Sequence, residues 1–270
     1  MKHVVCYSGG HSSALVAAEV VRRVGTAQVV LLNHDIHPAV EHEDIKRFKR
    51  EVATYLGLPI TYASHAQWDT MDQFDVVRAA QAFKVGTGTA LCSHRLKTQP
   101  FEEWLKGNAP PGEAVIYYGF DAQETARIQR RSSILAQMGY RSEYPLAHWE
   151  RTIHSTREIG VEPPMTYAQF KHANCVGCLK AGRQHWYVVY CTRPDLWEKA
   201  KATEEVIGYS IIKGAYLDEL EEKFSLMRRA GVEPTEHLHA NTFWAQVGER
   251  LRAPVEEEMK ADAKPCECVT

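Results

Sequence analysis

The tightest constraint on this chain is the way its first apolar run ends. Residues 4–7 (Val-Val-Cys-Tyr) break directly into Ser8-Gly9-Gly10-His11-Ser12-Ser13, and from residue 12 to 24 the apolar side chains Leu15, Val16, Ala18, Val20 and Val21 recur at helical spacing. A strand that turns through two glycines into a helix bares its backbone there, because glycine has no Cβ to hold a ligand away. The helix then directs its unpaired N–H groups and the positive end of its dipole at the same spot. Three hydroxyls, on Ser8, Ser12 and Ser13, stand beside them. This pattern predicts a phosphate-binding loop made of Ser8, Gly9, Gly10, His11, Ser12 and Ser13. The alternative is a tight strand-to-helix turn capped by a serine. The loop is not of the Walker A kind, since no Gly-Lys-Ser/Thr comes after the glycines.

Beyond the loop the pattern alternates between strand and helix. Residues 27–32 are almost continuously apolar, a charged helix is expected over 41–56 with Gly57 and Pro59 behind it, and residues 59–63 and 114–118 read as further strands, the last ending at Gly119. Such alternation predicts an α/β fold, a doubly wound, mostly parallel, Rossmann-like sheet with helices on both faces. Ligands in such sheets bind beyond the carboxyl ends of the strands, which places Asn33, Asp35 and Gly119 among the candidate nucleotide contacts. From Thr152 helical segments dominate: 184–190, 196–207 and 216–229. The expected organisation is therefore an α/β nucleotide-binding domain over 1–151, a helical region over 152–253 that carries Cys175-x-x-Cys178, and a mobile tail over 254–270.

Bulk properties narrow the setting. A hydrophobic fraction of 44% and a charged fraction of 24% are those of an ordinary globular chain, and a net charge of −2 exerts no global pull on nucleic acid. No apolar run is long enough to span a bilayer and the opening residues do not read as a secretory leader, so a cytoplasmic protein without membrane partners is expected. In that compartment the seven cysteines are better read as metal ligands, redox thiols or buried apolar residues than as disulfides.

The loop resembles that of the PP-loop ATP pyrophosphatases, SGGxDS, with Ser12 standing where that group has Asp. Further segments, spread in order over residues 2–182, resemble the phosphoadenosine-phosphosulfate reductase family. Asn33-His34-Asp35 with Glu41 and Phe48 resembles "DTG…PET…F". Residues 92–101, from Cys92 through Lys97 to Phe101, resemble "CCxxRKVxPL". Gly119-Phe120-Asp121 with Glu124, Arg127, Arg130 and Arg131 resembles "GxRxxES…R". Tyr144 to Trp149 resembles "NPIxDW", and Cys175-Val176-Gly177-Cys178 falls where the iron–sulfur branch has its second cysteine pair. By this resemblance, Arg127 is the first choice for a phosphate or sulfate contact, Lys97 a second cation, and Asp35 a contact to ribose or metal.

The resemblance also implies a [4Fe-4S] cluster, with zinc as the alternative metal. Cys92, Cys175 and Cys178 are the matching ligands. Leu91 replaces the other cysteine of the first pair, so the fourth ligand is Cys191, His94 or His172, or the cluster has no fourth protein ligand. On the residues alone, Cys191 reads equally well as a buried structural thiol behind the apolar stretch 186–190, and Cys6 as core. Glu267-Cys268 resembles the tail motif "ECGLH" only in Glu-Cys, which makes Cys268 a candidate swinging thiol.

Three functions are compatible with these readings. The first is sulfur transfer driven by ATP and Mg2+: adenylation of an acceptor, nucleic acid or small molecule, with sulfur from a cysteine desulfurase or the cluster. The second is assimilatory reduction of a sulfonucleotide through the tail thiol, regenerated by a thioredoxin-like donor. The third is a non-catalytic nucleotide-binding subunit. A homodimer is compatible with each.

Overall fold

The computed structural model describes residues 1–34, 41–85, 89–171 and 176–262. Asp35, Cys175, His172 and Cys268 lie outside them. In chain order the elements are β1 (Lys2–Cys6), α1 (His11–Val24), β2 (Val29–Asn33), α2 (Glu43–Leu56), β3 (Ile60–Tyr62), α3 (Gln73–Ala80), the two-residue strands β4 (Lys84–Val85) and β5 (Thr89–Ala90), α4 (Leu91–Ser93), a π-helical turn (His94–Thr98), α5 (Gln99–Asn108), β6 (Ala114–Tyr117), α6 (Thr125–Gln137), β7 (Arg141–Glu143), α7 (Pro145–His148), 3-10 helices at Thr156–Ile159 and Met165–Ala168, and then α8 (Arg183–Thr192), α9 (Pro194–Ile207), α10 (Leu217–Arg229) and α11 (Ala240–Asp262).

The chain divides into two compact units, Met1–Tyr167 with His172–Cys175, and Ala168–Lys171 with Val176–Thr270. The first is an α/β doubly wound unit. Its five strands run in the order β3-β2-β1-β6-β7, and every neighbouring pair is parallel. Strands buried on both faces need apolar residues at every position, and β1 shows the consequence. Val5 and Tyr7 enter a core with Leu15, Val16 and Val20 of α1 and Phe48 and Val52 of α2. Val4 and Cys6 point the other way, into a core with Phe101 and Leu105 of α5 and Leu135 of α6. Two-residue periodicity of side chains on one strand thus serves two helical layers. At its end α2 stops on Gly57, whose φ of 65° is left-handed and suits glycine.

The patterning assigns 152–167 to the helical region, but the segment packs as part of the α/β unit. The reason lies in α1. Glu19 is fully buried, and its carboxylate accepts from the N–H and hydroxyl of Thr152 and, at 3.3 Å, from the N–H of Ile153. Burial by itself would raise its pKa, but these donors together with Arg22 hold it below the ordinary value.

The second unit is helical. Trp186, Tyr187, Val188 and Val189 of α8 are all fully buried, and their aromatic partners are Trp197 of α9, Phe224 of α10 and Phe243 of α11. The helix α11 continues to Asp262, whereas the composition predicts a tail from Pro254. Among the described residues, no helix is long and apolar enough to cross a membrane.

Candidate anion-binding site at the sheet's switch point

Strand order reverses at β1. From it the chain winds through β2 to β3 on one side and through β6 to β7 on the other, so the crevice between β1 and β6 at their carboxyl ends is the topological switch point. Ser8–Ser13 leaves β1 there, and Gly119 comes just after β6.

The loop is built closely. Gly9 adopts φ 81°, and a Cβ on it would stand 2.8 Å from Cγ and Cδ of Lys49 and 2.9 Å from Cγ2 of Ile45. Only glycine fits over that floor. The floor is unusual: Lys49 is fully buried, its ammonium 2.6 Å from the Glu41 carboxylate and 5.2 Å from the centre of the Tyr62 ring. Tyr7 donates its phenolic proton to the Lys49 carbonyl at 3.0 Å, which ties α2 to the end of β1. From the other side Gly119 backs onto the loop, since a Cβ there would lie 3.1 Å from the carbonyl carbon and Cβ of Ser12. Gly9 thus rests on side chains of α2, and Gly119 on the backbone of the first turn of α1.

The predicted loop residues divide by role. Ser13 is buried and its hydroxyl donates to the Gly10 carbonyl at 2.8 Å, so it braces the turn. Ser8 approaches the Ser13 hydroxyl at 3.5 Å. Ser12 is exposed on the first turn of α1. His11 directs its ring away from the loop: Nε2 accepts from the N–H of Thr156 at 3.2 Å, and burial, with Arg157 nearby, lowers its pKa. It locks the 152–161 segment to α1. No serine caps α1; its N-cap is Gly10, without a side-chain bond. The first N–H of the helix, that of His11, donates to the Tyr167 hydroxyl at 3.0 Å.

Asn33 is buried at the end of β2 and gives its amide proton to the Tyr7 carbonyl at 3.1 Å, holding β1 and β2 together beneath the loop. Arg127 projects from α6 with its side chain 62% exposed, paired with Glu124 and lying 4.3 Å over the Phe120 ring. Arg131, one turn on, is more enclosed and lies 5.4 Å over Tyr118 at the carboxyl end of β6. Geometry therefore ranks Arg131 nearer the strand ends than Arg127. Lys97 sits on the π-helical turn, and Cys92 on α4 just before it. The next helix, α5, brings Phe101 to the same sheet edge, 4.6 Å from the ring of His34 after β2 and 6.5 Å from Tyr118.

The cysteines fall in different surroundings. Cys6 is buried, and burial pushes its thiol up to about 12, so it is core. Cys191, on α8, is hydrogen-bonded to Tyr187 and burial raises its pKa. Those surroundings suit a structural thiol. Cys178 is half-buried on a turn in which Gly177 has φ 77°. The N–H groups of Gly177 and Cys178 both donate to Nε2 of His185, at 3.0 and 3.1 Å. Two donors on Nε2 require its lone pair, so Nδ1 carries the proton and gives it to Glu236 at 2.6 Å. His185 thus shapes the Cys178 turn. Among the described residues, no group of three or more His, Cys, Asp or Glu is gathered for a metal. The implied set of Cys92, Cys175 and Cys178 includes a residue outside them.

Sequence reasoning passed over Glu19, Lys49, Tyr167 and His185. Glu19 and Lys49 are charged residues on otherwise apolar helix faces, which is a readable signal; Tyr167 and His185 have none.

The chain is 26% identical over 215 residues to the uncharacterized nin region protein ORF290 of Escherichia phage lambda, the match covering 68% of each chain. Comparison with protein-family profiles finds no match, and comparison with solved structures finds none.

Proposed function

We propose that the chain is a PP-loop enzyme, related to the phosphoadenosine-phosphosulfate reductase family, that binds ATP with Mg2+ and transfers its adenylyl group to an acceptor in a sulfur-transfer reaction. The observation that carries this reading is the glycine loop Gly9-Gly10 at the switch point, in front of the N-terminus of α1, with Gly119 packed against Ser12 of that helix. Such a place admits phosphate to within hydrogen-bonding distance of backbone N–H groups and complements its charge. In the adenylyl transfer, an acceptor nucleophile attacks the α-phosphorus, the bond to the bridging oxygen breaks, and pyrophosphate leaves. In this reading the exposed Ser12 and the backbone of the loop hold that leaving group, and Arg131, which lies over Tyr118 after β6, is the favoured guanidinium.

A cluster, where one is bound, would supply sulfide or a sulfur-activating iron. Its implied ligands are Cys92, Cys175 and Cys178. The adenylation step itself draws only on the first unit.

The test is titration with magnesium pyrophosphate and with magnesium ATP, together with release of pyrophosphate from ATP. Wild-type protein should bind both, and Gly9→Ala should bind at least about tenfold more weakly, because its backbone conformation and the Lys49 stem both resist a Cβ. Wild-type protein that binds neither ligand at millimolar concentration sinks the reading. Preference for adenosine 5′-phosphosulfate over ATP would replace adenylation by reduction of a sulfonucleotide.

A further inference from the structure

We infer that Tyr167 belongs to the anion site, its hydroxyl oxygen holding the place that a phosphate oxygen of the ligand takes at the start of α1. The inference rests on the proposed nucleotide-binding role of the loop and deepens it.

The first N–H groups of a helix have no partner within the helix. At the end of a glycine loop they are the donors an anion uses. In this protein the first of them, on His11, donates to the Tyr167 hydroxyl at 3.0 Å, and the same oxygen lies 3.2 Å from where a Cβ on Gly10 would stand. An oxygen that accepts a hydrogen bond therefore sits directly over the second glycine, against the positive end of the helix. That is the position and the chemistry of a ligand oxygen, filled by the protein itself.

The loop around it is held from within the fold, whereas Tyr167 comes from a partly exposed segment that the Met165 N–H anchors to Asp44. Gly9 rests on Lys49 and Ile45, and Ser13 is bonded to the Gly10 carbonyl. Tyr167 comes from a 3-10 helix of four residues, none of them buried, in which Met165 is 73% exposed. Few packed contacts are lost when such a segment shifts. Ligand entry is then an exchange of one oxygen for another on a stationary N–H, without rebuilding the loop. A phosphate oxygen, being charged, accepts more strongly than a phenol. An unphosphorylated nucleoside has no oxygen of that strength, so Tyr167 also sets a threshold in favour of phosphate-bearing ligands.

The experiment is calorimetric titration of wild type and Tyr167→Phe with magnesium pyrophosphate, and with adenosine as the uncharged control. Phenylalanine keeps the ring and leaves the His11 N–H without its acceptor, so pyrophosphate no longer competes for it. Its affinity should rise by about fivefold to tenfold, while adenosine binding does not change. A tyrosine that merely supported the loop would give the opposite sign. Unchanged or weaker pyrophosphate binding by Tyr167→Phe, beside a wild type that binds, overturns the inference and leaves the nucleotide-binding role standing. Absence of binding by both proteins overturns the two together. Tyr167→Leu, which also lacks the hydroxyl, should tighten binding too, and its failure to do so counts equally against the inference.

Discussion

Lys49 stands on α2 where its neighbours are apolar. Ile45, Phe48, Val52, Ala53 and Leu56 make the buried stripe of that helix, and Lys49 is four residues from Ile45 and lies within the stripe. A lysine at such a position has to bring a counter-charge into the core, and Glu41 is that charge. Removing one member of a buried pair leaves the other uncompensated, whereas removing both can be nearly neutral. Lys49→Met should therefore lose about 3–5 kcal/mol in denaturant unfolding, and Lys49→Met with Glu41→Gln should recover most of it. Equal losses for the single and double variants would mean that the stem, through its packing under Gly9, matters more than the charge. Glu19 obeys the same logic in α1, where it sits among Leu15, Val16 and Val20. In both helices the charged residue on the apolar face is the visible mark of a specific partner. Tyr167 carries no such mark, since nothing local distinguishes a tyrosine on an exposed turn from one aimed at a loop more than a hundred and fifty residues away.

At the scale of elements, the strands and helices that flank the loop are legible because each combines an apolar run with a glycine or proline stop. Helix α6 is not, since Leu135 is its one fully buried residue. The segment 152–161 escapes its true place for a different reason. It is held by polar contacts, from Glu19 to Thr152 and Ile153 and from Thr156 to His11, and periodicity does not register those. Its attachment should depend on pH in a defined direction. The folded-state pKa of Glu19 lies below the unfolded value of 4.5, so its stabilising contribution is complete above that value and is lost as pH falls through the lower folded pKa. Melting temperature measured from about pH 6 down to pH 3 should fall more steeply for wild type than for Glu19→Gln, which has no proton to take up. At neutral pH the variant should be less stable by about 1–3 kcal/mol, because an amide cannot accept from all of these donors. Parallel curves for the two proteins would show that another carboxylate governs the acid limb.

Over the whole molecule, the patterning turns helical at residue 152, before the first compact unit ends. The α/β unit runs on to Tyr167, and the helical unit holds its own aromatic core. The separation of cores has a consequence for function. The residues of the proposed anion site, from Ser8 to Gly119 and Tyr167, belong to the first unit, while Phe224 is fully buried among Tyr187, Tyr190 and Trp197 of the second. Phe224→Ala opens a cavity there and should cost about 3–5 kcal/mol of that unit's stability. It leaves the loop, its Lys49 floor and Tyr167 untouched, so the dissociation constant for magnesium pyrophosphate should stay within about twofold of wild type at a temperature where both proteins are folded. Gly9→Ala should behave in the reverse way, weakening pyrophosphate binding while leaving the packing around Phe224 intact. The change in near-ultraviolet circular dichroism between Phe224→Ala and wild type, to which Trp186 and Trp197 contribute, reports that packing in the same samples. A Phe224→Ala protein that loses pyrophosphate binding in proportion to its stability would mean that the Ser8–Ser13 loop depends on the second unit for its form. The proposed adenylation step would then have to be assigned to both units together.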